Sequence, residues 1–243
     1  MNLENKTILV VGGAAGIGQA TALLCAERGA TVIVADFNET EGKATAQAAN
    51  ATFVGVDVTD EASVAAMCAS IAQTHGKLDA LVQTAGILKG AYVILEDFEL
   101  ATLRQVLDVN TVGSFLSAKP AAPLLKRGTL PAIILISPPA ACGVSLPYAY
   151  AISKGGVSAL GTTMAGKLAT EGIRVTVLFP GGINKYLKRL VIEENARRMG
   201  EDPKAAVDAA AQSGVGEPLG MAKVLAFLVS DEADYVRGSV STR

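Results

Sequence analysis

Histidine is almost absent from this chain of 243 residues: His75 stands alone. A histidine-based catalytic triad and a histidine-rich metal site are therefore both disfavoured, and no metal is expected. Cysteine is scarce too. Cys25, Cys68 and Cys142 are far apart, with no CxxC pair. Cys25 and Cys68 sit among alanine and leucine in helical stretches, where a thiol packs as a small hydrophobe. Charge is sparse, at 18% of residues with a formal net charge of -2. That balance offers nothing to nucleic acid or an anionic membrane, so neither is an expected partner. No apolar run approaches the ~20 residues that a membrane span requires. The start, Met1 to Lys6, lacks the charged-then-apolar pattern of a signal peptide. A cytoplasmic location is the resulting expectation.

What is present is hydrophobic bulk and a regular alternation. Half of the residues are hydrophobic, which suits one sizeable α/β domain spanning 1–243. Thr7 to Val11 is a short β-branched run bounded by glycine, the pattern of a buried parallel strand. A glycine loop, a helical stretch and a second strand, Thr31 to Ala35, complete a βαβ unit. Further strands are read at Thr52–Val56, Leu78–Val82, Ala132–Ile136 and Ile173–Phe179, each preceded by a helical stretch. A long helical region covers about Leu100 to Lys126, and Pro147 opens the helix after the fifth strand. Six strands alternating with helices imply a single-domain, Rossmann-type doubly wound parallel sheet.

Ligands of such sheets bind beyond the carboxyl ends of the strands. Those ends hold Gly12 to Gly18, Asp36, Asp57, Ala85-Gly86, Ser137 and Pro180-Gly181. Glycine lets a backbone turn sharply and approach a ligand closely. The helix opening near Gly16 to Gly18 offers free N–H groups and a positive dipole end to a phosphate. Asp36 lies 18 residues after Gly18, at the end of the second strand. A carboxylate there can accept hydrogen bonds from the ribose hydroxyls of NAD and would repel the extra phosphate of NADP. Phe37 and Asn38 follow it, where NADP would call for Arg or Lys. Asp57 and Val58 are candidates to face the adenine, with a turn or capping role for Asp57 as the alternative.

Tyr150 and Lys154 are four residues apart and project from one face of a helix. A close ammonium favours the phenolate, so this pair can serve as an acid/base device.

The order of these pieces resembles the short-chain dehydrogenase/reductase family, over nearly the whole chain. The family's TGxxxGIG loop reads Val11-Gly12-Gly13-Ala14-Ala15-Gly16-Ile17-Gly18, and its NNAG motif reads Gln83-Thr84-Ala85-Gly86. Its helix asparagine matches Asn110. Its serine, 12 or 13 residues before the tyrosine, matches Ser137, which lies 13 before Tyr150. Its YxxxK matches Tyr150 to Lys154, and its PG segment matches Pro180-Gly181. The resemblance implies hydride transfer between nicotinamide and a secondary alcohol or ketone. Tyr150 would be the general acid/base, and Lys154 would bind the nicotinamide ribose and lower the tyrosine pKa. Ser137 would hydrogen-bond the substrate oxygen, and Asn110 would position a water in a proton relay. The dinucleotide would lie on Gly12, Ala15, Gly16, Ile17, Gly18, Asp36, Asp57, Val58, Ala85, Gly86, Tyr150, Lys154, Pro180, Gly181 and Ile183. NAD(H) is expected in preference to NADP(H), with a small alcohol or carbonyl compound as substrate and a homodimer or homotetramer as the assembly.

Several positions depart from that pattern. Val11 replaces the threonine before the loop, Gln83-Thr84 replaces two asparagines, and Pro138-Pro139 follows Ser137. Lys185 stands where a hydroxyl residue often meets the nicotinamide amide. The segment 184–207 is read as a substrate lid; its Lys185 and Lys188 are candidates for an acidic substrate group, against the alternative of a solvated charged helix. The chain ends soon after Gly238, where the family usually continues through a seventh strand. Two other readings accompany the alcohol/ketone oxidoreductase: a non-catalytic dinucleotide-binding protein, and a reductase of carrier-bound 3-oxoacyl groups. The last would want a basic docking patch, for which Lys126-Arg127 is meagre.

Overall fold

The computed structural model describes residues 1–138, 147–181, 186–211 and 217–242. At 186–190, 194, 210 and 211 the backbone alone is described. Seven parallel strands form one sheet in the order β3-β2-β1-β4-β5-β6-β7. The strands are β1 (Thr7–Val11), β2 (Thr31–Asp36), β3 (Thr52–Gly55), β4 (Ala80–Gln83), β5 (Ala132–Ile136), β6 (Arg174–Phe179) and β7 (Gly238–Ser241). The first six correspond to the runs read from the sequence. The seventh, short and glycine-led, pairs with β6 from Thr176–Gly238 to Phe179–Ser241, so the chain does reach the last strand.

The helices divide between the two faces. Ile8 and Val10 point to a core shared with α1 (Gly16–Glu27) and α9 (Pro218–Val229), while Leu9 and Val11 point to a second core. That second core is covered by α3 (Glu61–Thr74), α5 (Gly113–Leu125) and α6 (Tyr148–Leu168). Strands buried on both faces explain why the sequence shows continuous apolar runs rather than alternation. The second helix, α2 (Glu39–Ala48), is capped by Asn38, whose side chain accepts from Glu41 N, and α3 is capped by Asp60. The long helical region is broken into α4 (Leu100–Leu107), a π-helical turn over Asp108–Val112, and α5.

The sheet changes direction between β1 and β4, which are neighbours in space but not in sequence. The chains leaving these two strands diverge, and a crevice opens at their carboxyl ends. The site is built around it. Among the described residues, no helix is long and apolar enough to cross a membrane.

Candidate active site

The first wall of the crevice is the turn from β1 into α1. Gly12 N and Gly13 N both donate to Ala35 O, at 2.8 and 3.2 Å. Gly12 has φ +85°, and a Cβ there would lie 2.3 Å from Ala85 N. Gly18 is as constrained: its Cβ would lie 2.1 Å from Gly12 O. These two glycines exist so that backbone can pack on backbone. Gly16 differs. It has φ +58° and nothing within 4 Å of a Cβ position, so its surroundings are open space at the very start of α1. Ala15, the N-cap, contributes no side-chain hydrogen bond to the helix. The amides of Gly16, Ile17 and Gly18 therefore lack side-chain caps at a positive dipole end, the chemistry that suits a phosphate.

Asp36, at the end of β2, receives Ala14 N at 2.9 Å on one carboxylate oxygen and Asn38 N at 2.9 Å on the other. It thus braces the glycine loop from the side. Each oxygen keeps further lone-pair capacity, so the same carboxylate can brace the loop and accept from hydroxyls. Asp57 takes the turn role foreseen as its alternative: Oδ1 accepts from Thr59 N and Thr59 Oγ1. Val58 is buried against the start of α5, where a Cβ on Gly113 would lie 2.9 Å from Val58 Cγ2.

The second wall follows β4. Thr84 replaces an asparagine of the family pattern, and its hydroxyl donates to Val11 O at 2.8 Å. Val11 has no hydroxyl with which to brace the loop, and Thr84 supplies one from just beyond the neighbouring strand instead. Gln83 makes no such substitution: its amide is buried with neither Oε1 nor Nε2 hydrogen-bonded.

Gly86 is where the expected residues converge. A Cβ there would lie 3.1 Å from Asn110 Oδ1 and 3.5 Å from Lys154 Nζ. Asn110 sits inside the π-helical turn, fully buried. Its Oδ1 accepts from Ile87 N at 2.7 Å, and its Nδ2 donates to Ile87 O and to Ser153 Oγ, both at 2.9 Å. Ser153 Oγ in turn donates to Tyr150 O at 2.9 Å. Asn110 therefore ties the chain after β4 to the helix carrying Tyr150. The sequence reading missed Ser153; its place inside the Tyr150–Lys154 interval was the available signal.

Pro147 is the N-cap of α6, and Tyr150 and Lys154 lie on its buried face. Lys154 Nζ donates to Ile136 O at 2.9 Å and stands 5.9 Å from the Tyr150 ring centroid. Burial pushes the Tyr150 phenol up to about 12. Loss of hydration is the cause, opposite in direction to the effect expected of Lys154.

Ser137 is 0% exposed. Its hydroxyl donates to Lys154 O at 2.8 Å and accepts from Ser158 Oγ at 2.9 Å. It presents no surface to the crevice. Pro180 is buried, and Gly181 N donates to Thr242 Oγ1 at 3.1 Å, so β7 steadies the turn after β6. Ile183, Lys185, Pro139 and Cys142 lie outside the described residues, as do the side chains of Lys188 and Arg189. Burial pushes the Cys25 thiol up to about 12 and Cys68 up to about 11, which keeps both protonated and inert.

The segment 184–207, expected as a lid, falls on α7 (Tyr186–Met199) and the first part of α8 (Pro203–Ala211), with 184 and 185 outside the described residues. Arg198 Nη1 donates to Tyr92 O at 3.1 Å, and Tyr92 Oη donates to Val191 O at 3.3 Å. These contacts fasten α7 to the chain after β4. A surface depression of about 410 Å³ lies in that same stretch, lined by Leu88, Gly90, Val93 and Phe98 among others. None of the residues expected in the site lines it.

A parallel sheet with a glycine turn, an acid at the end of β2 and a Tyr–Lys pair beside the strand ends defines a dinucleotide-binding oxidoreductase of the Rossmann type. The sequence model described as enoyl-(acyl carrier protein) reductase matches residues 12–242. The chain is 33% identical to (+)-borneol dehydrogenase 1 of Salvia officinalis, over 97% of this chain and 91% of that one. It is 32% identical to a 3-oxoacyl-(acyl-carrier-protein) reductase of Thermotoga maritima, over 99% of this chain and 96% of that one. Among solved structures, the aldohexose dehydrogenase of Thermoplasma acidophilum superposes with a TM-score of 0.87 at 28% identity, covering 99% of this chain and 93% of that one. The chain belongs to the short-chain dehydrogenase/reductase family, whose members are oxidoreductases that use nicotinamide cofactors.

Proposed function

We propose that the protein transfers a hydride between NAD(H) and a secondary alcohol or ketone, with Tyr150 as general acid/base. The observation that carries this reading is the meeting of Gly86, Asn110, Lys154 and Tyr150 beside the glycine turn. The residues fit a dinucleotide: Gly16 opens onto empty space at an uncapped helix start, where a side chain would fill the cradle. When bound, the nicotinamide supplies or accepts the hydride.

The roles follow from the contacts. A phenol held at a pKa of about 12 keeps its proton at neutral pH, which suits donation to the oxygen of a carbonyl being reduced. Lys154 is assigned to the nicotinamide ribose. Asp36 is assigned to the other ribose, which favours NAD(H) over NADP(H). Asn110 is assigned to holding the post-β4 chain against α6, since Ile87 and Ser153 engage its side chain. Residues 184–207 are assigned to the substrate lid, and the site to a single domain in the cytoplasm.

The names of two relatives, a borneol dehydrogenase and a tropinone reductase-like protein, support a small alcohol or ketone as substrate. The carrier-bound reading has a 3-oxoacyl reductase among the relatives in its favour. Its candidate docking pair is weakened because Lys126 is paired with Glu171 at 2.6 Å. The decisive test is Tyr150→Phe. Carbonyl reduction followed by NADH absorbance should fall at least ~100-fold, while fluorescence titration still detects NADH binding. A variant that turns over normally removes Tyr150 from the chemistry. A wild type that binds NADH and reduces none of a broad carbonyl panel points to the non-catalytic reading.

A further inference from the structure

We propose that Ser137 is a positioning residue that fixes Lys154, rather than a group that touches the substrate oxygen; this rests on the reading that Lys154 holds the dinucleotide. The hydroxyl is wholly buried and already engaged in both of its capacities. Its proton goes to Lys154 O at 2.8 Å, and its oxygen receives Ser158 Oγ at 2.9 Å. Ser158 Oγ also lies 3.0 Å from Lys154 O, so the two serines and one carbonyl form a closed cluster. The backbone of Ser137 is pinned as well, since its N–H donates to Leu178 O on β6 at 3.0 Å.

A reciprocal contact completes the arrangement. Lys154 Nζ donates to Ile136 O at 2.9 Å. Strand β5 thus receives the head of the lysine on one residue and grips its backbone with the next. Lys154 is fixed at both ends. With α6 held there, Tyr150, one turn earlier, is held too, through Ser153 and Asn110. To reach a substrate oxygen, the Ser137 hydroxyl would have to leave Lys154 O and Ser158 Oγ and rotate out of a site with no solvent exposure. The next two residues are Pro138 and Pro139. Neither has an N–H, so the backbone at those positions offers the substrate no donor in place of that hydroxyl.

The two roles leave different traces. A hydroxyl that stabilises charge on the substrate oxygen acts on the chemical step and leaves cofactor affinity alone. A hydroxyl that fixes Lys154 acts on whatever Lys154 holds, and its neighbour Ser158 shares the effect. The experiment is a comparison of Ser137→Ala and Ser158→Ala with wild type, in the full chain. Hydrogen exchange along α6 is measured without dinucleotide. NADH affinity is measured by fluorescence, and kcat and KM for a carbonyl substrate at saturating NADH.

Both variants should exchange faster around Tyr150 to Ser158. Both should bind NADH about fivefold more weakly, the loss of one ordinary hydrogen bond, with carbonyl KM unchanged. The proposal is overturned if Ser137→Ala exchanges and binds NADH as wild type does while kcat for the carbonyl falls ~100-fold or more. If Ser137→Ala does not fold, the part-buried Ser158→Ala carries the test alone: wild-type exchange and affinity in that variant overturn the proposal. If wild type binds no NADH, the functional reading falls, and α6 exchange in the two variants still decides whether the serines fix the helix.

Discussion

Tyr150 keeps its proton because water has been taken from it. Burial raises the phenol from 10.0 to about 12. At neutral pH the donor form dominates, so carbonyl reduction should be nearly flat with pH across the neutral range. Alcohol oxidation needs the phenolate, and its rate should climb as pH rises until the apparent pKa of the bound complex is reached. Initial rates in both directions across that range check this. The same shift has a consequence for stability. Tyr150, Cys25 and Cys68 all have folded values raised above their ordinary ones, to about 12, about 12 and about 11. Between the unfolded and folded values the native chain binds more protons, so stability declines as pH rises. It is complete below the ordinary thiol value of 9.0 and is lost progressively toward about 12. The urea midpoint should be clearly lower at about pH 10.5 than at about pH 7.5. Asp36 makes a separate prediction. NADH should bind more tightly than NADPH, and Asp36→Ala should narrow that preference. NADPH binding more tightly to wild type would remove the assigned role.

At the scale of elements, the π-helical turn between α4 and α5 carries the most consequence. It brings Asn110 into the interior, where the side chain clamps Ile87 at both N and O. Asn110→Leu leaves the part-buried Ile87 N–H and C=O without that partner. Such a loss costs about 1–3 kcal/mol, read as a drop in the denaturation midpoint. Because Gly86 lies between Asn110 and Lys154, NADH affinity should fall in the same variant. A smooth helix over 100–126 is what the sequence suggests; periodicity alone does not show one extra residue in a turn. The glycine turn shows the opposite case. Its spacing announces a tight turn, and the structure supplies the reasons residue by residue: Gly12 and Gly18 are required by close backbone contacts, and Gly16 by positive φ beside open space.

For the whole molecule, the strand order makes the crevice. β1 and β4 are adjacent although two strands separate them in sequence, and Gly12 packs on Ala85 across that reversal. The outer faces of α5 and α6 carry exposed apolar side chains, Val112 beside α5, Phe115 and Ile152. A homodimer or homotetramer is expected; light scattering should give two or four times the 24.8 kDa of one chain. A mass of one chain at micromolar concentration would count against it.

The sequence by itself determined the alternation of strands and helices, because strands buried on both faces read as continuous apolar runs, bounded here by turn residues. It also determined the Tyr150–Lys154 pairing, because a helix fixes what lies four residues apart. Only the tertiary structure decided what those groups meet. Thr84, a mere departure in sequence, braces Val11 from just beyond the next strand. Asp57 spends an oxygen on its own turn. Ser137, a strand-end hydroxyl by spacing, turns into α6 and bonds Lys154 and Ser158. The direction of a side chain at a strand end, and the partner it finds across 17 residues of sequence, follow from packing between elements, which local pattern does not encode.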